Sequence, residues 1–281
     1  MPSFFEELGR NTGRWLRKAR WLGQELMGTE DEAVEAEYRV GHDLAEALSA
    51  DLPEGQKPVN DVLVETCGQQ LVACLKKRKR RFRFRVLPGR EVNAFALPGG
   101  FIYITQPLLD LCVADQHPDA RTVAGRPARE DEAPAEPVVL RGSAGALPSQ
   151  ALGEPGFDRV AFVLGHEMGH VLRSHVKDRI MGNSLLSLLL SAAPGGSALR
   201  QALRQLARQL VRSDYSQDQE LEADAIGVKL LRFAGLAPTA ACRVLELLRT
   251  QRPGETALDS YFSSHPPFAT RLANIERTLK A

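Results

Sequence analysis

His166, Glu167 and His170 form a His-Glu-x-x-His cluster inside the apolar stretch 160–172. On a helix the two histidines lie one turn apart on the same face, so both imidazoles can reach one metal ion. Glu167 then points toward the metal's open position, where a carboxylate can take a proton from an attacking water. The flanks suit a helix. Val160, Phe162, Val163 and Leu164 lead in, Val171 and Leu172 follow, and no proline intervenes. The bland alternative is a buried helix carrying two satisfied histidines.

Zinc in a hydrolase takes three protein ligands and a water. Residues 216–227 offer the third. Glu220 and Asp224 sit one turn apart on an expected helix and share a face. Glu220 can ligate the metal, and Asp224 can accept a hydrogen bond from the far nitrogen of a ligand histidine, fixing its tautomer. Glu222 falls on another face and is expected in solvent. Taken alone this segment is an ordinary acidic patch on an amphipathic helix. Next to the His-Glu-x-x-His helix, the ligand reading prevails.

Two further segments complete a pattern: residues 92–105, with Asn93 and Pro98-Gly99-Gly100-Phe101, and residues 264–271, with His265 followed by Arg271. In this order, across residues 36–279, the four segments resemble peptidase family M48, whose members are zinc proteases, some membrane-linked and some soluble. The resemblance implies an α+β, mostly helical fold: a zincin-like metalloprotease domain with a small β-sheet bordering the active-site cleft. It implies one Zn2+ per chain, held by His166, His170 and Glu220, with Glu167 as the proton carrier and Asp224 behind a ligand. His265 is then expected near the metal, either as a resting ligand that blocks the site or as a donor to the oxyanion. Arg271 helps to hold charge there. Asn93, Gly99, Gly100, Phe101, Ile102 and Tyr103 are expected at the substrate. Two departures concern regulation and substrate choice rather than ligands: Gln217 stands where the family often has arginine, and residues 113–157 look like an insertion.

With 281 residues, 43% hydrophobic and 25% charged, the composition is that of an ordinary globular protein. A net charge of +1 argues against a dedicated nucleic-acid binder. Cys67, Cys74, Cys112 and Cys242 lack metal-ligand spacing and are expected as buried, reduced thiols. No secretory signal opens the chain, and no stretch reaches the roughly 18 apolar residues of a membrane span. The nearest, residues 185–193, ends at Pro194 and is expected to pack over the catalytic helices or line a cleft. A cytoplasmic location is therefore expected.

The elements that must position the site follow from periodicity and breakers. Helices are expected over 3–27, 31–50, 58–76, 198–213, 216–233, 238–250 and 267–280. The first carries two tryptophans among arginines, so its basic face either meets water or makes peripheral contact with an anionic membrane. Residues 1–55 are expected to pack on a peptidase domain spanning 56–281. In the basic run 76–85, Phe82 and Phe84 alternate with arginines, which predicts a half-buried strand with one wet face rather than a nucleic-acid site. A strand over 101–105 is either interior or a cleft-edge strand that pairs with substrate backbone. Residues 113–157, rich in proline, alanine and glycine, are expected as an exposed loop before the catalytic helix. The leading expectation is a zinc-dependent metalloendopeptidase acting on unfolded or damaged polypeptides. The alternatives are a chaperone-like module using the same cleft without cutting, and a nucleic-acid or membrane adaptor.

Overall fold

The computed structural model describes residues 29–76, 79–114, 155–181, 197–212, 214–250, 265 and 268–280. The architecture is mostly helical. The helices are α1 (Glu30–Asp51), α2 (Val62–Ala73), α3 (Gln106–Val113), α4 (Pro155–Leu172), α5 (His175–Met181), α6 (Ser197–Arg212), α7 (Gln217–Phe233), α8 (Ala240–Thr250) and α9 (Phe268–Lys280). Three strands, β1 (Arg83–Leu87), β2 (Ala94–Leu97) and β3 (Phe101–Thr105), form one sheet in the order β1-β3-β2. The expected basic helix over 3–27, the apolar run 185–193 and most of the insertion lie outside the described residues. No described helix is long and apolar enough to cross a membrane.

Strand alternation sends side chains to two different cores. Phe84, Val86, Ala94, Ala96, Ile102 and Ile104 share one core with α2, α3, α4 and α8. Phe95, Leu97, Phe101 and Tyr103 face the other way, into a core with α1 and α6. Of the two alternatives for this strand, interior or cleft-edge, the sheet order fits the interior one. β3 is the central strand, parallel to β1 and antiparallel to β2, so its backbone is engaged on both sides. Ile102 is fully buried, while Phe101 and Tyr103 face away from the His-Glu-x-x-His helix.

The Pro98-Gly99-Gly100 turn, expected at the substrate, is closely packed. It lies buried against α1. A Cβ on Gly41 would fall 1.8 Å from the Pro98 carbonyl oxygen, and one on Gly99 would fall 2.4 Å from the Tyr38 Cα. Gly99 has φ 72°, a conformation that favours glycine, and its N–H donates to Glu37 Oε1 at 3.1 Å.

Local chemistry accounts for the element limits. α1 starts at a capping box in which Thr29 N–H donates to Glu32 Oε2 (3.0 Å) and Glu32 N–H to Thr29 Oγ1 (3.4 Å). α2 starts later than its periodicity predicts because Asp61 caps it, accepting from Val64 N–H at 3.0 Å. Val59 instead bridges Val86 of β1. α4 starts at Pro155, so the last residues assigned to the insertion belong to the catalytic helix. In the basic run, Lys79 pairs with Glu30 and Asp31, Arg80 with Glu37, and Arg81 with Glu35, all on α1.

Candidate metal centre

The site exists because α4 and α7 approach unusually closely. Their facing positions are small: Gly165 and Gly169 on α4, Ala223 and Gly227 on α7. A Cβ on Gly169 would sit 2.9 Å from the Ala223 Cα, and one on Gly227 would sit 3.2 Å from the His166 nitrogen. With only the Ala223 methyl between the backbones at these positions, carboxylates one turn apart on α7 reach imidazoles one turn apart on α4. α7 is held in register at its start by a capping box between Ser216 and Gln219.

Four buried donors converge: His166, His170, Glu220 and His265, whose ligand atoms all lie within 4.8 Å of one another. His166 Nε2 and His170 Nε2 are 3.1 Å apart. Glu220 Oε2 is 3.6 Å from His166 Nε2, and Glu220 Oε1 is 3.2 Å from His170 Nε2 and 2.8 Å from His265 Nδ1.

The outer nitrogens decide the tautomers. His166 Nδ1 is 2.9 Å from Asp224 Oδ1, an acceptor, so it carries the proton and Nε2 presents a lone pair. His170 Nδ1 is 3.1 Å from His175 Nδ1, and His175 Nε2 is 3.3 Å from Glu222 Oε2. His175 therefore donates to Glu222 and accepts from His170, leaving the His170 Nε2 bare as well. Two lone pairs and a carboxylate aimed at one point repel each other unless a cation sits among them. Zinc with nitrogen ligands at about 2.0–2.1 Å in a tetrahedron spaces its donors about 3.3 Å apart. The residues present fit that ion.

The electrostatics point the same way. Burial holds the His170 pKa well below the ordinary imidazole value, which favours the neutral ligand. Burial works against a charged His166, but Glu220 and Asp224 outweigh it and raise its pKa, the same pull that a cation there would feel. Burial also opposes a charged Glu220, yet His265 and Arg271 keep its pKa well below the usual carboxylate range. Arg271, fully buried on α9, donates to both Asp224 oxygens (Nε–Oδ2 2.8 Å, Nη2–Oδ1 2.7 Å). Its Nη1 makes a close ion-pair contact, 2.8 Å, with Glu220 Oε2. Arg271 thus compensates the two buried carboxylates, holding charge beside the metal donors.

Glu167 is 1% exposed, and its Oε2 has no hydrogen-bond partner. Its Oε1 lies 3.7 Å from His265 Nε2. Burial raises the Glu167 pKa, with His265 and His166 opposing. Asn93 lies at the start of β2, 2% exposed, with both side-chain polar atoms unpartnered.

The structure adds residues that sequence reasoning passed over. His175 supports the far side of His170. Glu222, exposed as expected, is held by Arg173 (2.8 and 3.0 Å). Ser174, at φ 62°, turns the chain between α4 and α5 so that His175 folds back. Tyr215 stacks on the His170 ring with centroids 3.5 Å apart, and the Arg179 guanidinium lies 4.1 Å from the Tyr215 centroid. The five-residue step from His170 to His175 was the only signal available for this support.

Comparison with known proteins agrees with this geometry. The chain is 35% identical over 203 residues to metalloprotease LoiP of Escherichia coli, covering 70% of this chain and 63% of that one. It is 36% identical over 110 residues to the mitochondrial metalloendopeptidase OMA1 of Arabidopsis thaliana, 38% of this chain and 21% of that one. Similarity to the beta-barrel assembly-enhancing protease of Escherichia coli is lower, 21% over 297 aligned positions, but covers 96% of this chain and 52% of that one. The chain thus spans from about a fifth to under two thirds of the length of these relatives. A model of the family matches residues 59–279, from the bridge at Val59 through α9, and every donor of the centre falls inside it. The chain belongs to peptidase family M48.

Proposed function

We propose that the protein is a zinc-dependent endopeptidase that cuts extended, unfolded or damaged polypeptides. One observation carries the reading: a buried carboxylate with a free oxygen, Glu167 Oε2, adjoins a cluster of converging metal donors. When bound, zinc supplies Lewis-acid polarisation of the scissile carbonyl and the attacking water. Glu167 accepts the water's proton and passes it to the leaving amine. His166, His170 and Glu220 hold the ion. His265 stands among them as a fourth donor that restrains the site at rest.

The substrate's backbone pairs with β2, an outer strand of the sheet and the one packed most closely on α4, and the unpartnered amide of Asn93 binds a peptide group there. Only an extended chain offers free backbone groups to a strand, and such pairing does not read side chains. Both features suit a quality-control protease. Similarity to metalloprotease LoiP and to the metalloendopeptidase OMA1 supports the reaction class.

Metal analysis of the purified protein, combined with degradation of an unfolded substrate with and without a chelator, tests the reading. Glu167→Gln should retain zinc and lose cleavage. Full activity in that variant removes Glu167 from the mechanism, and degradation that survives metal removal overturns the proposal.

A further inference from the structure

On the sheet face opposite α4, a cavity of about 430 Å³ opens between α1, β1 and β3. Arg83 and Arg85 project into it from β1. Directly across the register lie Phe101 and Tyr103 of β3. The two arginines differ from their neighbours in the basic run. Lys79, Arg80 and Arg81 each pair with acids of α1, whereas no described carboxylate lies within ion-pair distance of Arg83 or Arg85. Arg83 uses only Nε, donating to the Tyr38 hydroxyl at 3.1 Å, and Arg85 uses Nη1, donating to the Phe84 carbonyl at 2.9 Å. The remaining guanidinium N–H groups are available to a ligand. Tyr103 is 4% exposed and lines the cavity, and among the described residues no hydrogen bond engages its hydroxyl. Burial pushes the phenol up to about 12, so the hydroxyl keeps its proton and can donate.

We propose that this cavity binds the free C-terminal carboxylate of a polypeptide whose last side chain is aromatic or large and aliphatic. The planar fork of an arginine matches a carboxylate, and two forks on alternate residues of one strand face can clasp it. The Tyr103 hydroxyl adds a third donor. The last side chain lies on the Phe101 and Tyr103 rings, which supply apolar contact area. Glu46, on the rim with its side chain 60% exposed, accepts from the final backbone N–H groups of the ligand. A polyanion such as phosphate would leave the aromatic wall unused and be repelled by the Glu46 carboxylate. Each peptide-bond hydrolysis creates one such carboxylate, so cleavage products are a natural source. That link rests on the proteolytic reading, while the binding itself does not.

The test uses the full chain carrying Glu167→Gln, so that the probe is not cut, and a fluorescent peptide ending in Ala-Leu-Phe with a free carboxylate. The same peptide ending in a carboxamide is the control. The acid should bind at least about tenfold more tightly than the amide, the effect of one charge-assisted pair. Joint Arg83→Gln and Arg85→Gln should bring the acid down to the amide's affinity, and a chelator should leave binding unchanged. Tyr103→Phe keeps the ring and the packing, so it decides the matter if the arginine variant fails to fold. It should weaken the acid and spare the amide. Equal binding of acid and amide overturns the proposal, as does unaltered acid binding in a folded arginine variant. Displacement of the peptide by inorganic phosphate at matching concentration also overturns it, in favour of a general anion site. If wild-type protein cuts no unfolded substrate while the acid preference persists, only the proteolytic reading fails.

Discussion

Both helix histidines of the candidate metal centre are aimed by side chains behind them. Asp224 orients His166, with Arg271 fixing Asp224 in turn, and His175 orients His170, with Glu222 and Arg173 behind it. Removing such a partner typically costs about 10- to 100-fold in metal affinity. Asp224→Asn and His175→Ala should each fall in that range in a zinc competition titration, and Arg173→Ala, one step further out on the exposed side, should cost less. Unchanged affinity in His175→Ala would show that the His170 tautomer does not depend on it. His265 makes a sharper case. It is 1% exposed, and its Nδ1 already contacts Glu220. As a resting fourth donor it excludes water, so His265→Ala should raise basal cleavage at near-normal zinc content. A fall in turnover of roughly 100-fold would instead make it an oxyanion donor.

Among the elements, the contact between α4 and α7 governs the site. A methyl group on Gly169 meets the Ala223 backbone, not a mobile side-chain tip, so the helices must separate to accept it. Overpacking of this kind costs about 1–3 kcal/mol. Gly169→Ala should therefore lower both melting temperature and zinc affinity. Gly89→Ala, where a Cβ would meet nothing within 4 Å, should change neither. If Gly169→Ala bound zinc normally, helix separation would not control ligand geometry. The same close-packing logic explains the Pro98-Gly99-Gly100 turn beneath α1, which the sequence offered as a substrate loop.

For the whole molecule, the centre ties together parts of the chain far apart in sequence: α4, α7, His265 and, through Arg271, α9. A metal held only by the folded arrangement stabilises it by mass action, by about 2.7 kcal/mol at a free concentration 100 times the dissociation constant. The melting temperature should rise with buffered free zinc and drop on chelation. A melting temperature indifferent to both would mean that no folded-state site is being filled.

Helical spacing is a local property, and that is why the chemistry was legible in the sequence. His166 and His170, or Glu220 and Asp224, share a face whatever lies around them, and the four-segment order was enough to name the family. Alternation in the basic run likewise predicted the strand that buries Phe84. Capping and strand pairing moved the ends of α2, while the start of α4 at Pro155 follows the local preference of proline for the first turn. Tertiary structure alone decided which strand lies at the centre of the sheet, because strand order depends on contacts between distant segments and leaves no period behind. It alone turned Gly99 and Gly100 into packing contacts and chose Glu220 and Asp224 as the carboxylates that Arg271 faces. It also recruited His175 and Glu222 behind His170, since a buried ligand needs a partner for its second nitrogen and only the folded chain determines which residue stands close enough to serve.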